Sequence, residues 1–452
     1  MERIFVFDDY EVGENGEVSF HYIIKSEGED VDFTEKLTFP KADFSEIPEP
    51  LRHRLLMNLS LVLGISYWKV YCPKKIENKN NQLTEEQAKF WNTIYTKGLG
   101  EFYFKNKASL PFADAKRSTD FRELIEFPFR HGVNADPVAF ERKDRSLLLF
   151  GGGKDSIVAA ELLKGKKKDF TSFVVNDYSL QKEVIKVLGR DAIIVTREID
   201  PKLLQLKNKK GTYNGHVPIS AIYAFIGLLA AGLYDYQYII SSNEKSSNFG
   251  NTEYLGQSIN HQWSKSLEFE TLFAKYVTHY LTSNISYFSL LRPLYEIKIA
   301  QLFTKYPKYF STFSSCNKNF TVKKSMNTKW CRKCPKCAFV FATLGAFLPK
   351  EEVVKIFGKN LFADKSLETT YKELLGIKNT KPFECVGTPD EVKLAFYLAH
   401  KKKEFEKEVI MKMFEKEVLP TLKNVEELEK DILSVSKEHK IPKEFISLVK
   451  GL

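Results

Sequence analysis

Six consecutive residues, Gly151-Gly152-Gly153-Lys154-Asp155-Ser156, hold most of the phosphate-binding chemistry in this 452-residue chain. Glycines let a backbone turn tightly, so that several N–H groups converge on one anion. A short apolar run at 146–150 precedes them and a helical pattern at 155–164 follows. The start of that helix adds partial positive charge, and Ser156 adds a hydroxyl. Lys154 can neutralise phosphate; Asp155 can hold Mg²⁺ or position a nucleotide. Two commoner motifs fail on spacing. A Walker loop needs glycine at 148 and Ser or Thr at 155, where Leu148 and Asp155 stand, and the dinucleotide fingerprint needs a third spaced glycine where Ser156 stands. A second loop, Ser241-Ser242-Asn243-Glu244-Lys245, follows the apolar run 237–240. Ligands of open parallel sheets bind beyond the carboxyl ends of strands, which makes Asn243 and Glu244 candidates for Mg²⁺ or nucleotide.

Cysteines supply a second kind of chemistry. Cys331, Cys334 and Cys337 follow one another at three-residue intervals, with Cys316 upstream. Four thiolates suit tetrahedral Zn²⁺, and a [4Fe–4S] cluster is the competing occupant. Pro335 with Arg332, Lys333 and Lys336 predicts a tight, electropositive turn that keeps thiols ionised. The fourth ligand stays open. Cys316 is either that ligand or a reactive thiol, and Cys385 is its rival for either role. Six cysteines in a chain of this size, with no secretory-type start, do not imply disulfides.

The elements that must carry these groups have two grammars. Alternating apolar residues at 3–7, 18–23 and 33–39, separated by turn residues, predict an antiparallel meander. Helical patterns follow at 51–63 and 85–97, then a polar linker at 106–145 with Pro111, Pro128 and Pro137. From 146 onward, apolar runs at 146–150, 171–175, 192–196 and 237–240 alternate with helical segments at 155–164, 179–188, 217–233 and 262–281. That alternation predicts an α/β fold built on a parallel sheet. Residues 338–452 read as mostly helical, with Lys401-Lys402-Lys403-Glu404 on a solvated face. The expected units are 1–145, 146–345 and 346–452. The apolar stretch 217–233 is short and contains Ser220 and Tyr223, as a buried core helix would. A net charge of +10 suits acidic partners such as nucleotides. A soluble cytoplasmic protein with no membrane association and no obligate protein partner is expected.

The glycine loop resembles the Ser-Gly-Gly-x-Asp-Ser PP-loop of ATP pyrophosphatases, with Gly151 in place of the first serine. The resemblance implies an adenine nucleotide alpha hydrolase-like core, flanked here by a β-rich N-terminal domain and a helical C-terminal region. Across nearly the whole chain the sequence is similar to the MurL family of ATP-dependent UDP-N-acetylmuramoyl-L-alanyl-L-glutamate epimerases. The likeness is carried by Gly64-Ile65-Ser66-Tyr67-Trp68-Lys69, Gly98-Leu99-Gly100-Glu101-Phe102, the glycine loop, and Tyr213-Asn214-Gly215-His216-Val217-Pro218. It continues in Ser242-Asn243-Glu244, Asn260-His261-Gln262-Trp263-Ser264-Lys265, Leu290-Leu291-Arg292-Pro293-Leu294, the Cys316 and Cys331–Cys337 segments, and Lys381-Pro382-Phe383-Glu384-Cys385-Val386-Gly387. That family carries glycine at the position of Gly151.

The resemblance implies inversion of the terminal L-glutamate of UDP-MurNAc-L-Ala-L-Glu, with ATP and Mg²⁺ consumed to give AMP and diphosphate. A Cα–H beside a free carboxylate is hardly acidic. Adenylation removes the charge, and closure of the N-acylated adenylate to an oxazolone would acidify the hydrogen further. Inversion needs a base on one face and an acid on the other, or one group reaching both. His216 and His261 are the leading candidates, because imidazole titrates near neutral pH. Cys385 and Cys316 are the alternative pair, and Lys265 or Arg292 would bind the substrate's carboxylates or diphosphate. Two rival readings keep some of the motifs. PP-loop enzymes of the 7-cyano-7-deazaguanine synthase and tRNA-thiolating kinds would need ammonia or sulfur. A zinc-knuckle nucleic-acid binder would show salt-dependent binding without ATP turnover; no nucleic-acid partner is expected.

Overall fold

The computed structural model describes residues 3–79, 82–106, 125–133, 135–176, 179–207, 209–320 and 328–452. The part of the expected linker around Pro111 lies outside them.

The alternating residues of the first forty positions form β1 (Ile4–Val12), β2 (Glu17–Lys25) and β3 (Val31–Thr38), an antiparallel meander. Its inward set, Phe5, Phe7, Phe20 and Tyr22, is fully buried. The helix Glu49–Trp68 packs against this face and is apolar nearly all round, as befits a helix covered on several sides. A short strand, β4 (Lys75–Asn78), adds parallel to β1.

The second grammar yields β5 (Ser146–Leu149), β6 (Phe170–Val175), β7 (Ala192–Glu198) and β8 (Tyr238–Ser241). A small hairpin of β9 (Thr252–Tyr254) and β10 (Gln257–Ile259) follows, and β11 (Ser286–Ser289) completes the set. Every residue of β6 is buried, because helices cover both faces of a parallel sheet. The strands form one nine-stranded sheet in the order β11-β8-β5-β6-β7-β3-β2-β1-β4. β11 to β7 run parallel, and β7 joins the meander antiparallel to β3 through Lys36↔Glu198, Leu37↔Arg197 and Thr38↔Thr196. A buried pair, Arg197 Nε to Glu35 Oε1 at 2.7 Å, sits at that seam.

Strand order reverses between β5 and β8, which are neighbours in space but far apart in sequence. A crevice opens beyond the strand ends at such a switch point, and both candidate loops start there. The stretch 262–281 is not one helix. A 3₁₀ turn (Trp263–Lys265) is followed by Ser266, whose hydroxyl accepts from Phe269 N and so begins the helix Leu267–Tyr280 afresh. His261 therefore sits in a turn ahead of these elements. Beyond the cysteines the chain is helical, starting with Pro335–Gly345. Among the described residues no helix is long and apolar enough to cross a membrane.

Candidate active site

Gly152 takes φ +76, a left-handed conformation that opens the turn after β5. A Cβ on Gly153 would stand 3.1 Å from the Ser315 hydroxyl, so the cysteine-bearing segment presses directly on the loop. Among the described residues, nothing lies within 4 Å of the corresponding point on Gly151. Ser156 Oγ accepts from Gly152 N at 3.1 Å and donates to Gly153 O at 3.0 Å, holding the loop's shape. Lys154 is fully buried, and its ammonium pairs with Asp155 and Glu296. Lys336 Nζ reaches the other Glu296 oxygen at 3.0 Å. Burial opposes ionisation of Glu296, but Lys154 and Lys336 hold its pKa down at about 2.

From the end of β8, Glu244 enters the same space. Its Oε1 is buried without a hydrogen-bond partner. Burial and then the charges of Glu296 and Asp155 raise its pKa to about 7, against Lys265 and Lys336. An orphaned carboxylate oxygen beside Asp155 fits a divalent cation, which seeks hard oxygen ligands. Asn243 also supports the loop, through Nδ2 to Ser241 Oγ at 3.2 Å and through its backbone carbonyl, which accepts from Ser289 Oγ at 2.6 Å.

Across the crevice stands a thiol. Lys265 Nζ donates to Cys385 Sγ at 3.3 Å, and His261 is hydrogen-bonded to the same sulfur. His261 Nδ1 lies 2.5 Å from Glu101 Oε2, and His216 Nδ1 lies 3.3 Å from that same oxygen. Burial resists a charge on Cys385, but Lys265 and then His261 lower its pKa to about 5. For His261, burial works downward, yet its bonds to Cys385 and Glu101 lift it to about 9. Burial and the charge of His261 push His216 down to about 3. One imidazole is thus kept charged and its neighbour kept neutral. Their ring centroids are only 4.7 Å apart, which leaves no room for a carbon between them. An acid and a base on opposite faces of one carbon stand about 6–7 Å apart, counting about 3–3.5 Å to each reacting atom. The two rings are thus too close together to flank a carbon between them.

Cys316, Cys331, Cys334 and Cys337 place their sulfurs within 4.8 Å of one another, with Cys331–Cys337 at 3.7 Å and Cys316–Cys334 at 4.0 Å. Tetrahedral Zn²⁺ with ligands at about 2.3 Å brings sulfurs about 3.8 Å apart. Those separations fit one ion and are too short for thiolates on separate corners of an iron–sulfur cube. Cys316 therefore belongs with the cluster, far from the reactive-thiol role, and Cys385 stands apart from it.

A family model described as the MurL N-terminal domain matches residues 1–290, and one described as the MurL C-terminal domain matches residues 312–429. The chain belongs to the MurL family. Three curated relatives bear the name UDP-N-acetyl-alpha-D-muramoyl-L-alanyl-L-glutamate epimerase. That of Xanthomonas oryzae pv. oryzae is 34% identical over 388 residues, covering 86% of this chain and 83% of that protein. That of a Micromonospora species is 36% identical over 400 residues, covering 87% and 86%. The Salinispora tropica protein is 35% identical over 398 residues, covering 87% and 84%. With these MurL relatives, the chain is an isomerase. The N-terminal MurL match spans the whole nine-stranded sheet, and the C-terminal match spans the cysteines and most of the helices behind them.

Within this MurL chain, His216, His261, Cys385 and Lys265 come together as one group, next to the glycine loop, Asp155 and Glu244. Arg292 does not reach the crevice. Its guanidinium is 1% exposed and gives four of its five N–H groups to Glu270, Ser247 Oγ and the carbonyls of Glu244 and Lys265, so it holds loops. Three members escaped sequence reasoning. Glu101 reads as an ordinary helix acid, Glu296 as a first-turn acid, and Lys336 as part of the electropositive turn around the cysteines, whereas its ammonium turns away to Glu296. For Glu101 the available signal was its place in the Gly98–Phe102 segment of the MurL likeness.

Proposed function

We propose that the chain inverts the terminal L-glutamate of UDP-MurNAc-L-Ala-L-Glu to D-glutamate in peptidoglycan precursor synthesis, driven by ATP and releasing AMP and diphosphate. The observation that carries this reading is contiguity. One connected set of side chains runs from Lys154 and Asp155 of the glycine loop through Glu296, Lys336, Glu244 and Lys265 to Cys385, His261 and His216. The nucleotide lies over the PP-loop, with Lys154 and Lys336 facing its phosphates once they part from Glu296. Mg²⁺ held by Asp155 and the free oxygen of Glu244 would offset phosphate charge. A substrate carboxylate oxygen attacks the α-phosphorus and diphosphate leaves, which removes the charge that had made the neighbouring Cα–H inert. His216, uncharged at neutral pH, takes that proton, and Lys265 stabilises the enolate. Cys316, Cys331, Cys334 and Cys337 would hold a structural Zn²⁺, and so fix Lys336 and Ser315 in place beside the nucleotide site.

The test is incubation with ATP, Mg²⁺ and UDP-MurNAc-L-Ala-L-Glu, followed by hydrolysis and chiral assay. D-glutamate is expected together with AMP and diphosphate. Diphosphate without D-glutamate would leave an activating enzyme of another kind, and neither product would sink the reading.

A further inference from the structure

We propose that Cys385 is a nucleophile, which takes the acyl group from the adenylate so that inversion occurs on an enzyme-bound thioester. The inference rests on the adenylation reading above and deepens it.

The geometry around this sulfur is that of an activated nucleophile. An ammonium, Lys265 Nζ, lies 3.3 Å away on one side, and the His261 ring bonds it on another. A third group orients the base, since Glu101 fixes His261 Nδ1 at 2.5 Å. Thiol, imidazole and carboxylate in that order form the arrangement by which cysteine enzymes generate a thiolate and place it. Cys72 shows what the chain does with an ordinary thiol. It is buried, its thiol donates to the Lys69 carbonyl at 3.4 Å, and burial pushes its pKa up. Cys385, by contrast, is partly exposed to the crevice.

The separation of Cys385 from His261 is set by a strut. Asn251 Nδ2 donates to Pro382 O at 2.7 Å, and Asn251 Oδ1 accepts from His261 N at 2.8 Å. One amide side chain thus ties the thiol's loop to the imidazole's turn. On the far side Glu384 Oε2 accepts from Lys336 N at 3.0 Å and from Asn317 Nδ2 at 3.2 Å. A loop pinned from both flanks keeps a nucleophile within the tolerance a reaction demands. Lys265, 3.3 Å from the sulfur, also stands close to where an oxyanion would develop on a carbonyl attacked by that sulfur.

The step balances without any further reactant. The thiolate sulfur bonds to the carbonyl carbon of the adenylate, the carbon–oxygen bond to phosphate breaks, and AMP departs with that electron pair. The thioester's Cα–H is more acidic than that of a carboxylate, because sulfur donates poorly into the carbonyl and the carbonyl then accepts the carbanion. His216 removes the proton and later releases it to solvent, while solvent water delivers a proton to the other face of the enolate, so neither atoms nor charge are left over. Water then adds to the carbonyl carbon, the carbon–sulfur bond breaks, and the thiolate returns with the free D-carboxylate.

The decisive measurement is a single turnover with enzyme in excess, ATP, Mg²⁺ and radiolabelled UDP-MurNAc-L-Ala-L-Glu, quenched in acid. Label is expected to remain on the protein, to be released by neutral hydroxylamine and to map to the peptide holding Cys385. Cys385→Ala should lose this adduct and lower the rate of deuterium entry at Cα by at least about 10³-fold, while one equivalent of diphosphate per site is still released. Diphosphate release with no protein-bound label at any quench time would overturn the thioester and leave the oxazolone or free adenylate. Deuterium entry at the wild-type rate in Cys385→Ala would do the same. Absence of diphosphate from the wild type would strike the adenylation reading itself, so the two failures are told apart.

Discussion

At the scale of single residues, the thiol and the two imidazoles make opposite demands on pH. Cys385 ionises at about 5 and His261 loses its proton at about 9, so their ion pair exists between those limits. Below the lower limit the sulfur is protonated and cannot attack; above the upper limit the imidazolium is gone. The pH profile of kcat/KM for epimerisation is therefore expected to be bell-shaped, with limbs near 5 and 9. His216 titrates far below this range, at about 3, and should leave no limb of its own. Glu101 is a positioning residue, and Glu101→Gln removes the charge that supports His261. The alkaline limb should move to lower pH and kcat should fall by about 10²-fold or more, with KM for ATP little changed. A profile whose alkaline limb stays in place would show that Glu101 does not govern the imidazole.

At the scale of elements, the structure distinguishes residues that work in the crevice from residues that hold its walls. Arg292 and Glu270 are each about 1% exposed and joined at 2.9 Å, with Ser289 N also bound to Glu270 at 3.0 Å. Arg292→Ala would strand a buried carboxylate, at a cost of about 3–5 kcal/mol. Urea unfolding should register that loss, and an unchanged midpoint would show the pair to be dispensable. How much of this was legible beforehand follows from the same physics. Strands β1 to β3 and β5 to β8 announced themselves, because alternation or solid apolar runs reflect burial of one face or two. β4 did not, since only Ile76 is buried in its four residues. β11, Ser286–Ser289, is half serine and had no periodicity to read. The glycine loop and the cysteines were readable as types at fixed spacing. Glu101, Glu296 and Lys336 were not, for their roles come from partners more than a hundred residues away, or forty in the case of Lys336.

At the scale of the whole molecule, the cysteine centre and the reaction crevice are mechanically one body. Cys337 and Lys336 are neighbours in the same first helical turn, and Ser315 beside Cys316 bears on Gly153. Elemental analysis should find about one zinc per chain, held as four thiolates hold a structural ion. Stripping it with a strong chelator should lower the melting temperature and weaken nucleotide binding together, since a structural site can contribute roughly 10 kcal/mol to local folding. Calorimetry on chelated and restored protein would check both, and nucleotide affinity that survives zinc loss intact would disconnect the two regions.

The three glycines of the loop are not equivalent in what restrains them. Gly152 is bound by its backbone handedness and Gly153 by the Ser315 hydroxyl, while Gly151 faces nothing within 4 Å among the described residues. A side chain at the first position thus has no quarrel with the rest of the fold. One residue further on an added Cβ would meet Gln181 at 3.2 Å, and two residues on it would meet the Ser315 hydroxyl at 3.1 Å, so the room for a side chain ends abruptly after the first glycine.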